Sequence, residues 1–387
     1  MAIPYWRLSA YYFFYFGFIG AFSPYFTLYL QSLQFSATDI AILMSLMQVM
    51  RVLAPNLWGW VVERYGRRML IVRLSAVASL LGFSVFFVTT RFDGLFLGMA
   101  LMAFFWSAVL PLIESATFDH LGAQAHRYSS IRVWGSVGFI VAVLALGYAL
   151  DSLPMVAVLW VMAAILAGIV ACGLIVPEAV HPPTAARTAS MAETLRRPEV
   201  RALLGACFLM AAAHGALYVF YSIHLVAYGY DTSLVGWMWT LGVVAEIGVF
   251  LFMPKLMRRF SLRAILLFSF AAAVLRFVLI GWGAHSLVLL LVAQLLHGAT
   301  FGAYHAAAIS LINQWFSGPL QSRGQALYGS LSFGAGGMLG GLLSGFTWDA
   351  VGAGWTFTLA SVFAAWGFVV LQRGLTRPAI QSPSPVK

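Results

Sequence analysis

The chain repeats itself half a length apart, and that repeat limits its fold more than any other feature. Trp134-Gly135-Ser136-Val137, with Phe139 beyond, returns as Tyr328-Gly329-Ser330-Leu331 with Phe333. Arg64-Tyr65-Gly66-Arg67-Arg68, followed by Met69-Leu70-Ile71, returns as Arg259-Phe260-Ser261-Leu262-Arg263 and Ala264-Ile265-Leu266. Duplication on this scale implies two structurally related halves. The solvent of those halves follows from composition: 62% of the residues are hydrophobic and 9% charged, against about 25% charged in an average soluble domain.

Apolar stretches long enough to cross about 30 Å of hydrocarbon as helices occur near 5–31, 38–62, 69–90, 94–120, 128–150, 155–176, 199–227, 232–256, 263–283, 287–313, 324–347 and 354–372. The expected fold is therefore all-α and integral to the membrane, with twelve transmembrane helices in two pseudo-symmetric six-helix bundles. The expected division is 1–176 for the first bundle, 177–198 for a cytoplasmic linker, 199–375 for the second bundle and 376–387 for a disordered cytoplasmic tail. Pro182-Pro183, Ser190 and Arg196-Arg197 mark the linker as a break in the hydrophobic rhythm. The first stretch lacks a small-residue cleavage site and reads as a retained span.

The net charge of +10 raises the possibility of a nucleic-acid partner, but its placement points to a membrane. With both termini inside, every Lys and Arg except Arg51, Arg91 and Arg276 falls on the cytoplasmic side. The outer loops carry Asp39, Asp93, Asp151, Asp231 and Asp349. This is the positive-inside pattern. Cys172 and Cys207 sit in separate spans with no metal-ligand spacing, so they read as packing residues rather than a disulfide or a metal site. No cofactor motif appears. The eleventh span is dense in glycine, and the spacings Gly336 to Gly340 and Gly341 to Gly345 suit close helix packing in lipid.

Gly59-Trp60-Val61-Val62-Glu63-Arg64-Tyr65-Gly66-Arg67-Arg68 resembles the loop signature of the major facilitator superfamily between its second and third spans, with Glu63 in place of the usual Asp. The resemblance implies a conformational latch in which Gly59, Glu63, Arg64, Gly66, Arg67 and Arg68 serve gating. Within that superfamily the chain resembles the lactose permease and phenylpropionate permease branch over nearly its whole length. Tyr15-Phe16 through Gly20-Ala21 to Pro24 and Phe26, Pro111-Leu112-Ile113-Glu114, Arg132-Val133-Trp134-Gly135-Ser136-Val137-Gly138, Arg276 and His297 carry the likeness. One position departs: the sugar symporters have a glutamate three residues after the span-ten histidine, where this chain has Thr300. Leu241 to Glu246 and Leu296-His297 with Thr300-Phe301 look closer to 3-phenylpropionate permeases.

Ionisable groups inside hydrocarbon mark a transport path. Arg51, Glu246 and Arg276 fall near the middle of spans two, eight and nine, and Glu114 and Arg132 lie at similar depth on consecutive antiparallel spans. Three arginines face two glutamates, which leaves one positive charge that a carboxylate substrate would complete. The competing reading has Arg132 snorkelling to the interface and Arg51 facing a solvated funnel. Glu246 is the first choice for proton carrier and Glu114 the second, since desolvation raises a carboxyl's pKa while a nearby arginine lowers it. The resemblance adds His297 to substrate binding and proton coupling. His214, His224 and His305 read as interhelical hydrogen-bonding groups. Trp134, Trp239 and Phe301 are candidates for stacking on a substrate ring, with Tyr218, Tyr221, Trp237 and Tyr304, although packing explains them equally well.

The expected function is proton-coupled uptake of a small aromatic carboxylate by a monomer in a bacterial inner membrane, with a substrate site between the halves. Its partners are a small-molecule substrate, protons and lipid, without nucleic acid. A sugar or nucleoside symporter is the alternative, and a transport-inactive sensor the remote one. An enzyme is not expected, because the chain has no HExxH, GxSxG or nucleotide loop.

Overall fold

A computed structural model describes residues 3–178 and 191–375, apart from the side chains of Pro55, Asn56, Glu63 and Pro319. Most of the expected linker and the whole expected tail therefore lie outside the described residues. The long helices are α1 (Tyr5–Ser32), α2 (Ala37–Tyr65), α3 (Arg68–Ser84), α4 (Phe92–Leu121), α5 (Tyr128–Leu150), α6 (Ala157–Ile175), α7 (Pro198–Ala227), α8 (Thr232–Arg259), α9 (Leu262–Gly283), α10 (Leu287–Trp315), α11 (Gln321–Val351) and α12 (Ala353–Gly374). A short helix, Ala192–Arg196, precedes α7. Among the described residues, eleven continuous helical stretches are long and apolar enough to cross a membrane, and one of them, Phe92–Leu150, contains both α4 and α5. These account for the twelve spans read from the sequence.

Local chemistry sets the ends. Ser36 and Ser261 cap α2 and α9 by accepting the backbone N–H of Asp39 and Ala264. Pro198 opens α7 from its first turn. Gly66 closes α2 with φ +67°, a left-handed conformation that glycine adopts without steric cost. Among the described residues, three helices are interrupted by wider π turns, at Phe22–Phe26 in α1, Gly298–Ala303 in α10 and Ser330–Gly336 in α11. The apolar pattern gives no sign of them, because an added residue per turn leaves mean hydropathy unchanged. Such turns recur at functional sites.

The chain divides into two compact units: Met1–Thr184 with Gly229–Trp237, and Ala185–Tyr228 with Met238–Lys387. In the first, α1 packs on α5 and α6, α3 on α4 and α6, and α2 on α4. In the second, α7 packs on α11 and α12, and α9 on α10 and α12. Apart from α2 on α4, these pairings match after a shift of six helices, as the repeat requires. The first turns of α8 belong to unit 1. There the Thr232 hydroxyl and the Ser233 N–H donate to the Asp151 carboxylate at 2.7 and 3.1 Å. Desolvation, the largest single influence on Asp151, would raise its pKa, but the hydrogen bonds from Thr232 and Ser233 together hold it below the usual aspartate range.

Glycines set the closest crossings in each unit. A Cβ on Gly138 would overlap the Phe13 carbonyl oxygen, and one on Gly340 the Ala212 carbonyl oxygen. Both obstacles are backbone, so neither can yield without parting the helices. By contrast, Gly329 in α11 has nothing within 4 Å of its virtual Cβ. Gly340→Ala is therefore expected to lower the melting temperature of the purified protein, because overpacking costs about 1–3 kcal/mol. Gly329→Ala should leave it unchanged or raise it, since alanine is favoured over glycine in a helix by about 1 kcal/mol. Equal shifts for the two variants would contradict this packing.

Candidate functional site

Unit 1 gathers its polar residues where α1, α4 and α5 meet. Arg132 on α5 and Glu114 on α4 come together, with Nε 4.0 Å from Oε1 and side chains 31% and 36% exposed. The Tyr128 hydroxyl donates to Glu114 Oε1 at 3.1 Å. From α1, Phe16 and Tyr12, one turn apart, present their rings to the Arg132 guanidinium at 3.7 and 5.7 Å. Among the described residues Arg132 donates no hydrogen bond, so its planar fork is held by ring contacts and one long ion pair. Such a guanidinium is ready to accept a carboxylate with two parallel bonds.

Arg51 is half-buried and makes no ion pair among the described residues. Trp134 does not join this cluster. Its indole N–H donates to the Tyr5 hydroxyl at 3.3 Å, and its ring meets Trp6 edge-on at 5.6 Å. Two residues after Arg132, it is rotated about 200° around the helix and occupies another face.

Unit 2 builds a drier cluster. Arg276 on α9 is 1% exposed. Its Nε donates to the Ala293 carbonyl at 2.9 Å, Nη2 to Gln294 Oε1 at 3.0 Å, and Nη1 to Thr300 Oγ1 at 3.2 Å and His214 Nε2 at 3.3 Å. All four acceptors are uncharged. The position at which the sugar symporters carry a glutamate thus supplies a neutral hydroxyl that holds the arginine. The sequence places Arg276 among the substrate-binding candidates, and in this arrangement four of its five donors are engaged.

Close approach of α8 to α10 brings Glu246 beside His297. A Cβ on Gly298 would lie 2.7 Å from the Ala245 carbonyl oxygen, and one on Gly302 would lie 3.3 Å from the Glu246 Cγ. The result is a separation of 3.9 Å between His297 Nε2 and Glu246 Oε2, with side chains 11% and 20% exposed. His297 Nδ1 is buried without a hydrogen-bond partner among the described residues. The spacing of four along α10 stacks His297 on Phe301 at 5.4 Å and Phe301 on His305 at 6.1 Å, with planes within 18° and 14°. Trp239 is buried, donates to Ser222 Oγ at 3.1 Å and stacks on Tyr218 at 6.2 Å. Aromatic rings, one carboxylate and a histidine thus share one apolar interior. His224, by contrast, is tied to the Ile280 carbonyl at 3.0 Å as an interhelical bond.

The signature loop is anchored within unit 1. Arg68 pairs with Asp119, and the Glu178 carboxylate accepts the Met69 N–H at the start of α3 at 3.1 Å. Arg73 donates to the carbonyls of Gly173 and Val176 at 2.9 and 2.8 Å, at the end of α6. Gly59, Arg64, Gly66 and Arg67 are exposed. The Glu63 side chain lies outside the described residues.

The chain belongs to the MFS_1 like family, whose profile matches residues 5–359. It is thus a secondary transporter of the major facilitator superfamily, a multi-pass membrane protein and not an enzyme. It is 29% identical over 356 residues to the "Probable 3-phenylpropionic acid transporter" of Escherichia coli (strain K12), covering 91% of this chain and 93% of the relative. It is 24% identical to the "Maltose permease" of Geobacillus stearothermophilus, over 93% of this chain and 92% of the relative. Among solved structures it is similar to the nucleoside transporter NupG, with a TM-score of 0.82, 19% identity and coverage of 95% and 97%. These relatives share the fold and differ in the substrate they are named for.

Proposed function

We propose that this protein couples the inward movement of protons to uptake of a small aromatic carboxylate across a bacterial inner membrane, as a monomer with both termini in the cytoplasm. The observation that carries the reading is Arg132: a half-exposed guanidinium cushioned on Phe16, with a long pair to Glu114 and no hydrogen bond among the described residues. A bound carboxylate would supply the two acceptors that the fork lacks. The Phe16 and Tyr12 rings beside Arg132 suit an aromatic substrate, and the name of the Escherichia coli relative points the same way.

Glu246 is the proton carrier in this reading, beside His297 at 3.9 Å. A carboxylate in an apolar interior is stable either when protonated or when a cation approaches it, and alternation between these two conditions is what coupling needs. The latch residues Gly59, Glu63, Arg64, Gly66, Arg67 and Arg68 would gate the exchange.

A sugar or nucleoside substrate is the second reading, favoured by the Glu114 carboxylate with its Tyr128 partner, since carboxylates also accept hydroxyl groups. Equilibrium binding to the purified protein separates the two. The expected ligands are 3-phenylpropionate and cinnamate, with the uncharged amide 3-phenylpropanamide binding at least ~100-fold more weakly for lack of its charge-assisted hydrogen bonds. Binding of maltose or a nucleoside with no binding of either acid would overturn the carboxylate reading. Binding of acid with no transport would identify a sensor.

A further inference from the structure

His214 is a buried group that neither the carboxylate site nor the Glu246 pair uses. Its side chain lies between two partners that admit only one protonation form. Nδ1 is 2.9 Å from the Met210 carbonyl, which can only accept. Nε2 is 3.3 Å from Arg276 Nη1, which can only donate. Both contacts require the proton on Nδ1 and a lone pair on Nε2, and turning the ring over would forfeit both bonds. The ring is fixed in place by Phe277, edge-on at 5.2 Å.

We infer that His214 is a coupling residue: a proton and Arg276 compete for the same nitrogen, Nε2, so that protonating His214 releases Arg276 from its present seat. The inference rests on the proton-coupled reading for its meaning in transport. A protonated imidazole has two donors and no acceptor, so the Nη1 contact turns repulsive between two cations in an apolar interior. The remaining seat, built from Thr300, Gln294 and the Ala293 carbonyl, is neutral and offers no countercharge to hold the guanidinium.

Around His214, Tyr218 and Tyr221 lie on its own helix, His297 stands 6.4 Å away on α10, and Glu246 on α8 reaches the cluster through His297. The α11 residues abutting the neighbouring Gly215 are Gly340 and Gly341, which carry no charge. Arg132 remains the seat that holds the carboxylate for exchange, and release of Arg276 adds a second guanidinium whose attraction for an anion and a proton on His214 favour the same arrangement. Two ligands that favour one state strengthen each other's binding by the same factor, which is the requirement for symport of a proton with a carboxylate.

Nitrogen-15 NMR of histidine- and arginine-labelled protein in lipid tests this directly. Near neutral pH the wild type should show a histidine in the Nδ1–H form whose Nε2 correlates with an arginine side-chain proton, and this signal should vanish in His214→Gln. Acidification should shift that histidine and that arginine together. An Nε2–H form for this histidine, or protonation that leaves the arginine signal unmoved, would overturn the inference. The wild-type correlation alone decides the tautomer if the variant fails to fold.

In transport, His214→Gln keeps an acceptor for Arg276 and cannot gain a proton. It should retain substrate exchange while losing at least ~10-fold in proton-driven accumulation, the factor that one coupled proton contributes per pH unit. Unchanged accumulation would also overturn the inference. If the wild type moves its substrate without protons, the coupling reading fails, and the NMR result still reports whether proton and arginine exclude each other.

Discussion

Replacing Arg132 by glutamine is expected to raise the KM for 3-phenylpropionate at least ~100-fold, about 2.8 kcal/mol of lost binding. The substitution removes the charge and the bidentate fork together. Arg132→Lys should fall between the two, because an ammonium keeps the charge but not the planar geometry or the stacking on Phe16 at 3.7 Å. The variants should retain the parent's melting temperature, since Arg132 is 31% exposed and donates no hydrogen bond within the described protein. A KM unchanged in Arg132→Gln would remove this arginine from the substrate site. A substrate-independent loss of folded protein would make it structural.

Glu246→Gln has the second large effect. A glutamine beside His297 preserves shape and hydrogen-bonding capacity but cannot release a proton. Each coupled proton supports about tenfold accumulation per unit of pH gradient, or 1.4 kcal/mol. The variant should bring the steady-state ratio of internal to external substrate down to about one while exchange of internal for external substrate continues. Glu114→Gln should spare accumulation more than Glu246→Gln, since Glu114 already receives the Tyr128 hydroxyl and faces Arg132. Accumulation intact in Glu246→Gln and lost in Glu114→Gln would reverse the assignment of the proton carrier.

The fold was legible because a bilayer leaves a chain few choices. Twelve apolar stretches, their polar punctuation and the half-length repeat each point to twelve helices, and the contacts of α1 with α5 recur as those of α7 with α11. The charged residues of the two candidate clusters stand out for a related reason: Glu114 and Arg132 in one unit, and Glu246 and Arg276 in the other, are conspicuous in hydrocarbon where a buried serine or tyrosine is not.

Partnership was less legible than presence. Arg276 invites a carboxylate partner, yet its seat consists of His214, Gln294, Thr300 and a backbone carbonyl. Several neutral dipoles together can hold a buried cation, and neutral residues in a span attract little notice. Thr300, which stands where the sugar symporters have a glutamate, accepts from Arg276 Nη1 at 3.2 Å. Trp134 adjoins Arg132 in sequence, but a helix turns residues two apart to nearly opposite faces, and its indole meets Tyr5 and Trp6 instead. The approach of Glu246 to His297 depends on Gly242, Gly298 and Gly302 letting α8 and α10 close, and glycine content alone does not say which helix comes near.

The most direct measurement of the central claim is proton movement driven by substrate in sealed vesicles containing the purified protein and an internal pH dye. On addition of 3-phenylpropionate outside, with no imposed gradient, the lumen should acidify faster than in protein-free vesicles, and Glu246→Gln should remove the difference. Uptake of the labelled acid through the protein with no accompanying proton entry, or proton entry evoked by maltose or a nucleoside but by neither aromatic acid, would contradict the account.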